Sequence, residues 1–101
     1  MQVIVKGKKF ESGKITRSKY RVYTEVRDKI ASKEVYADSD LDEMVSVLVK
    51  IFDNQFTEDD INDDMDVSDI MLNFSAIDFD IATKVNNKAE KLQKAFTKGK
   101  K

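Results

Sequence analysis

The chemistry-bearing side chains of this chain concentrate in one acidic stretch. Asp59, Asp60, Asp63, Asp64, Asp66 and Asp69 follow one another closely. Asp60, Asn62 and Asp64 fall at positions 1, 3 and 5 of a calcium-binding EF-hand loop, where alternate residues supply oxygen ligands. The frame then fails. Position 6 needs glycine for its turn and holds Met65, and position 12 needs a bidentate glutamate and holds Met71. Two carboxylates could also share acid–base hydrolysis, but these occupy capping-type positions with no base beside them. The chain has no His and no Cys, which removes the commonest general base, thiol chemistry and disulfides. No phosphate-binding glycine loop is present. Asn73, Phe74 and Ser75 spell a glycosylation sequon, which matters only in a secreted chain. The expectation is a protein that is not an enzyme, with no catalytic residues, no metal and no cofactor.

The basic residues suggest a different chemistry. Residues 1–36 carry ten Lys and Arg against four Asp and Glu, and they include Tyr20 and Tyr23. Base stacking on those rings would suit a nucleic-acid binder. Both tyrosines fall on the inward face of a helix, however, and the pI of about 5.5 is far from a basic domain's. Residues 37–80 carry one Lys against fourteen acids, and residues 81–101 carry seven Lys against one Glu. A basic–acidic–basic layout can fold segments onto one another or draw copies of the chain together head to tail. An acidic middle could also imitate DNA and occupy a basic protein.

The elements that position these residues follow from hydrophobic period. Of the 101 residues, 41% are hydrophobic, enough for one domain with one core. There is no Pro, so long helices are permitted. No apolar run approaches the roughly 20 residues of a membrane span, and no signal peptide is evident. A soluble, intracellular protein without a membrane or nucleic-acid partner is expected.

Val3, Ile4 and Val5 with Gly7 predict a hairpin over residues 2–11, with Phe10 packing on helices. A helix over about 17–32 starts at Thr16 and turns Tyr20, Tyr23, Val26, the Arg27 stem and Ile30 inward. Leu41, Met44, Val45, Leu48 and Phe52 give the i, i+3, i+4, i+7 face of a core helix over about 40–53. Ser39 and Asp40 are equal candidates for its cap, and Asn54 suits a left-handed stop. Phe56 and Ile61 bracket Thr57 as a hydrophobic staple, which opens a helix over about 57–64. Met65, Asp66 and Ile70 repeat that grammar. Ile70, Phe74, Ile77, Ile81, Val85, Ala89, Leu92 and Phe96 then recur at helical period over about 67–96.

Such a helix would be about 45 Å long at ~1.5 Å per residue, more than a small domain covers. It either breaks at Asn86 and Asn87 or projects. The fold class expected is α+β and mainly α: an N-terminal hairpin, a small helix bundle and a long C-terminal helix. Residues 1–97 are expected to form a single domain, with a disordered tail expected at 98–101. The core should include Tyr23, Val26, Ile30, Leu41, Met44, Val45, Leu48, Phe52, Phe56, Ile61, Ile70 and Phe74.

The stretch LDEMVSVLVKIFDNQFTEDDI, residues 41–61, resembles the tail assembly chaperones of long-tailed, siphovirus-type bacteriophages of Gram-positive hosts. The matching residues are Asp42, Glu43, Met44, Val45, Leu48, Val49, Phe52, Asn54, Gln55, Phe56, Thr57 and Asp60. The likeness covers the order of elements to about Ile70 and matches the lysine-rich end only loosely. It implies no catalysis. It implies binding of the phage tape measure protein, keeping that hydrophobic rod soluble, and help in recruiting tail tube subunits. It places the protein in the host bacterial cytoplasm and not in the finished virion. In many such phages a frameshift adds a second domain, with which the lysines at 98–101 are compatible. The candidate partner-binding stripe is Ile77, Ile81, Val85, Leu92 and Phe96. Beside it lie Lys84, Lys88, Lys91 and Lys94, which could meet the acidic middle of a neighbouring copy in a homo-oligomer. An acidic DNA mimic, or another small inhibitor or adaptor of a basic partner, is the competing class.

Overall fold

The computed structural model describes the backbone of residues 1–99 and the side chains of residues 1–94. It has two strands, β1 (Gln2–Val5) and β2 (Lys8–Glu11), and four helices: α1 (Arg17–Ile30), α2 (Asp38–Ile51), α3 (Glu58–Asp64) and α4 (Val67–Gly99). The fold is therefore mainly α with an N-terminal antiparallel hairpin. The tail expected at 98–101 lies outside the described side chains, and residues 100 and 101 lie outside the described residues altogether.

The hairpin pairs Val5 with Lys8 and Val3 with Phe10. Its two turn residues, Lys6 and Gly7, have φ of 51° and 74°, the positive values a type I′ turn needs. Lysine rarely adopts that conformation, and here it is held from outside. Its N–H donates to Asp64 Oδ2 at 2.7 Å, and its ammonium pairs with Asp60 at 3.0 Å. Val3 and Val5 turn inward while Ile4 faces solvent, the alternation of a half-buried strand.

Helix α2 is the centre of the core. Met44, Val45, Val47, Leu48, Val49 and Ile51 are all buried, which leaves it covered on several sides. It packs chiefly against α4 and α1, and also against α3. Its start differs from the sequence reading. The capping position is Ala37, not Ser39 or Asp40. Alanine has no acceptor, so only the reciprocal half of a capping box forms: the Ala37 N–H donates to Asp40 Oδ2 at 2.8 Å. Lys33 pairs with the same carboxylate at 2.8 Å, which makes a buried aspartate tolerable.

The stop of α2 is a Schellman motif. The Asn54 N–H donates to the Val49 carbonyl at 2.9 Å and the Asp53 N–H to that of Lys50 at 3.1 Å. Asp53 and Asn54 both have positive φ, 55° and 59°. Thr57 then caps α3 with a full box: Asp60 N–H to Thr57 Oγ1 at 3.1 Å, and Thr57 N–H to Asp60 Oδ2 at 2.9 Å. Phe56 and Ile61 are both buried at the staple positions.

Of the expected core, Val26 and Leu41 are only partly buried, while Val3, Val5, Val47, Val49, Ile51 and Ile77 join it. α4 runs without a break through Asn86 and Asn87. Its 33 residues span about 50 Å at ~1.5 Å each. The radius of gyration is 16.3 Å, against about 13 Å for a compact chain of this length. The accessible surface, 7220 Å², likewise exceeds the roughly 5,800 Å² of a compact chain of this mass. Both excesses have one cause: the second half of α4 leaves the bundle.

Candidate functional site

Residues 41–61 build the scaffold more than a binding surface. Met44 and Phe52 lie in the core, and Glu43 pairs with Lys29 at 2.7 Å. Asn54 closes α2. The Gln55 amide donates to the Glu11 carbonyl at 2.7 Å, tying β2 to the end of the core helix. Phe56 meets Phe10 edge to face at 5.1 Å and Phe52 at 5.5 Å. Asn54, Gln55, Phe56 and Thr57 thus fasten the hairpin and start α3 within four consecutive residues. Asp42 is exposed.

The acidic stretch also has structural duties. Asp60 caps α3 and holds Lys6, and Asp64 holds the Lys6 backbone. Among the described residues, no three His, Cys, Asp or Glu side chains gather as they would around a metal ion. Tyr23 is buried, so its ring is not free to stack on bases. Its hydroxyl donates to Asp78 Oδ2 at 2.6 Å, and Arg27 reaches the same carboxylate at 3.3 Å. Burial first, and then Asp78, push the Tyr23 hydroxyl well above its ordinary range.

The Asp60 carboxyl is pulled down to about 2, first by the Thr57 N–H and then by Lys6. Its unfolded value is about 3.9. A depressed folded value means stability that is present above pH ~4 and lost as pH falls towards 2. Asp40, held down by Lys33 and by the Ala37 N–H, acts in the same sense. Urea midpoints measured from pH 5 down to pH 2 should therefore fall, and should fall less steeply in Asp60→Asn. Parallel slopes for the two proteins would contradict this assignment.

The proposed partner-binding stripe divides in two. Ile77 is 0% exposed and belongs to the core, so it is not available in the folded chain. The stripe's first turns face α2, and the core ends just beyond them. Ile81 is partly buried, at the edge of the core. Val85 and Leu92 are 59% and 61% exposed. The Phe96 side chain lies outside the described residues. Lys84, Lys88, Lys91 and Lys94 are all exposed, and Lys84 pairs with Asp80 at 2.9 Å. The Met1 amino group also reaches Asp80, at 3.5 Å, fixing the chain start against α4.

A second apolar surface escaped the sequence reading. Leu72 and Phe79 are 67% and 76% exposed on the opposite face of α4. Their seven-residue spacing carried the signal, but the stronger stripe on the other face masked it. Among the described residues, no helix is long and apolar enough to cross a membrane.

A family model described as phage tail chaperone protein matches residues 2–101. No curated protein and no solved structure matches the chain.

Proposed function

The chain belongs to the phage tail chaperone family, and on that premise we propose that it binds the tape measure protein of a long-tailed, siphovirus-type phage of a Gram-positive host. Members of this family are assembly proteins and not enzymes. Binding keeps the long hydrophobic partner soluble and helps bring tail tube subunits to it. Copies of the chain line up along that rod. The work is done in the host cytoplasm during assembly, and the chaperone is not retained in the finished virion.

One observation carries this reading. The apolar line of α4 continues through Val85 and Leu92 after the bundle that covers it has ended. A monomer rarely leaves such a line bare, and bare apolar surface of this kind marks an interaction site. Amphipathic helices bind by laying that face against a partner. Within the acidic middle, Asp40, Asp60 and Asp64 accept hydrogen bonds that belong to the fold itself.

The test is co-expression with the tape measure protein encoded beside the chaperone gene. The partner should move from the insoluble to the soluble fraction when the chaperone is present, and the two should copurify. A partner equally insoluble with and without the chaperone would overturn the proposal.

A further inference from the structure

At the root of the projecting helix a groove of about 690 Å³ runs between loop 12–16 and the α4 turns over residues 81–88. Its apolar lining is Ile15, Ile81 and Val85, and its lysines are Lys14, Lys84 and Lys88. No carboxylate lines it among the described residues, and of its lysines Lys84 is paired with Asp80, at 2.9 Å, just outside the groove. The loop wall is held in place. The Lys19 ammonium donates to the Ser12 and Lys14 carbonyls at 3.3 and 3.2 Å and pairs with Asp53 at 3.1 Å. Gly13, at φ +67°, supplies the left-handed turn there. A partner therefore meets a preformed groove, which lowers the ordering cost of binding.

The groove opens onto the projecting helix, and the same pattern continues along it. Ile81, Val85 and Leu92 follow one line at i, i+4 and i+11. Lys84, Lys88 and Lys91 follow at i, i+4 and i+7. At about 100° per residue, the three lysines fall on one flank of the apolar line and not on both. The line rises about 16 Å over those eleven residues. A straight apolar line of that length with cations on one side is complementary to a helix with carboxylates on one side.

We infer that this groove and the helix beyond it receive a helical segment of a partner protein whose apolar anchors are flanked on one side by Asp or Glu. The inference rests on the reading of α4 as the docking surface and adds the chemistry of what docks. One-sided charge also sets direction, since only one orientation of the partner helix brings its carboxylates to the lysines. These lysines then engage the partner and not the acidic middle of a neighbouring copy.

Two synthetic helical peptides test it. Both carry one leucine stripe; one has Glu along a single flank and the other has Lys there. Fluorescence anisotropy with the full chain should show the Glu peptide binding at least about tenfold more tightly at 0.1 M salt, where exposed charges act over roughly 10 Å. The preference should shrink in high salt. Lys88→Glu/Lys91→Glu should invert it, Lys14→Glu should reduce it, and Val85→Asp should weaken both peptides. These positions are exposed, and circular dichroism will show each variant as helical as the parent. Equal binding of the two peptides, or tighter binding of the Lys peptide, overturns the inference. So does light scattering that shows a dimer lost in Lys88→Glu/Lys91→Glu, because the occupant is then a second copy. A chain that still solubilises the tape measure protein while ignoring peptide charge removes this inference alone. A chain that selects the Glu peptide yet leaves the tape measure protein insoluble removes the functional reading alone.

Discussion

Phe52→Ala should destabilise the protein by about 3–5 kcal/mol, the usual cost of deleting a fully buried aromatic ring. The ring is 0% exposed and sits at the C-cap of α2. It lies 5.5 Å from the Phe56 ring, which in turn packs on Phe10. The cavity would open where the core helix, the hairpin and the approach to α3 meet, so no single element can shift to fill it. Small domains are stable by only about 5–15 kcal/mol, so this variant should be close to unfolding at 37 °C. Urea denaturation measures it: the midpoint should drop with the slope unchanged. Leu92→Ala, at an exposed site on the same chain, should stay within about 0.5 kcal/mol of the parent. A Phe52→Ala loss below about 1 kcal/mol would mean that the junction is not what holds the fold together.

Val85→Asp/Leu92→Asp should have the opposite profile, with stability kept and function lost. Both side chains are more than half exposed, so the folded monomer should tolerate carboxylates there. Against a partner they would sit in an apolar contact. Losing two buried aliphatic side chains forfeits about 3–6 kcal/mol at ~1.5–3 each, before the cost of burying charge. That is on the order of a hundredfold or more in affinity, at ~1.4 kcal/mol per tenfold. Thermal midpoints should match the parent, while the tape measure protein returns to the insoluble fraction. Leu72→Asp/Phe79→Asp supplies the contrast, with two exposed apolar side chains on the other face of the same helix. If that pair abolishes solubilisation and the first does not, the docking surface is the Leu72 and Phe79 face.

Local signals in the chain predicted local structure well. Phe56, Thr57 and Ile61 specify a helix start within six residues, and the staple forms as their types require; the reciprocal bond from the Thr57 N–H to Asp60 is an addition of the structure. Lys6 and Gly7 close the hairpin. Asn54 ends α2 because asparagine tolerates left-handed backbone better than most residues do. The start of α2 departs from the pattern because Asp40 has the residue type of a cap while Ala37 holds the capping position. The Asp40 carboxylate instead reaches back from the first turn to a capping residue that has no side-chain acceptor.

Long-range facts were not legible. Tyr23 with Asp78, Gln55 with Glu11 and Lys6 with Asp64 are partners 55, 44 and 58 residues apart, and nothing in their neighbourhoods names the other member. The sequence pattern puts the end of the covered part of the α4 stripe at Phe74, whereas Ile77 is also buried and the bare length begins beyond Ile81. The stripe's division into covered and bare lengths depends on where α2 ends in space, and periodicity does not report that. Continuity past Asn86 and Asn87 was open for a similar reason. Two asparagines permit a break without requiring one, and the lysines that follow are good helix formers.

Hydrogen exchange on the chaperone, with and without its tape measure protein, tests the central claim most directly. The backbone of residues 81–94 is helical but projects from the bundle, so its amides should exchange quickly in the free protein. Bound to the tape measure protein, those amides should slow by at least about tenfold, which needs only about 1.4 kcal/mol of added protection. The hairpin and α3 should change little. Unchanged exchange at 81–94, with new protection confined to the hairpin or to residues 41–61, would contradict the assignment of the projecting helix as the docking surface.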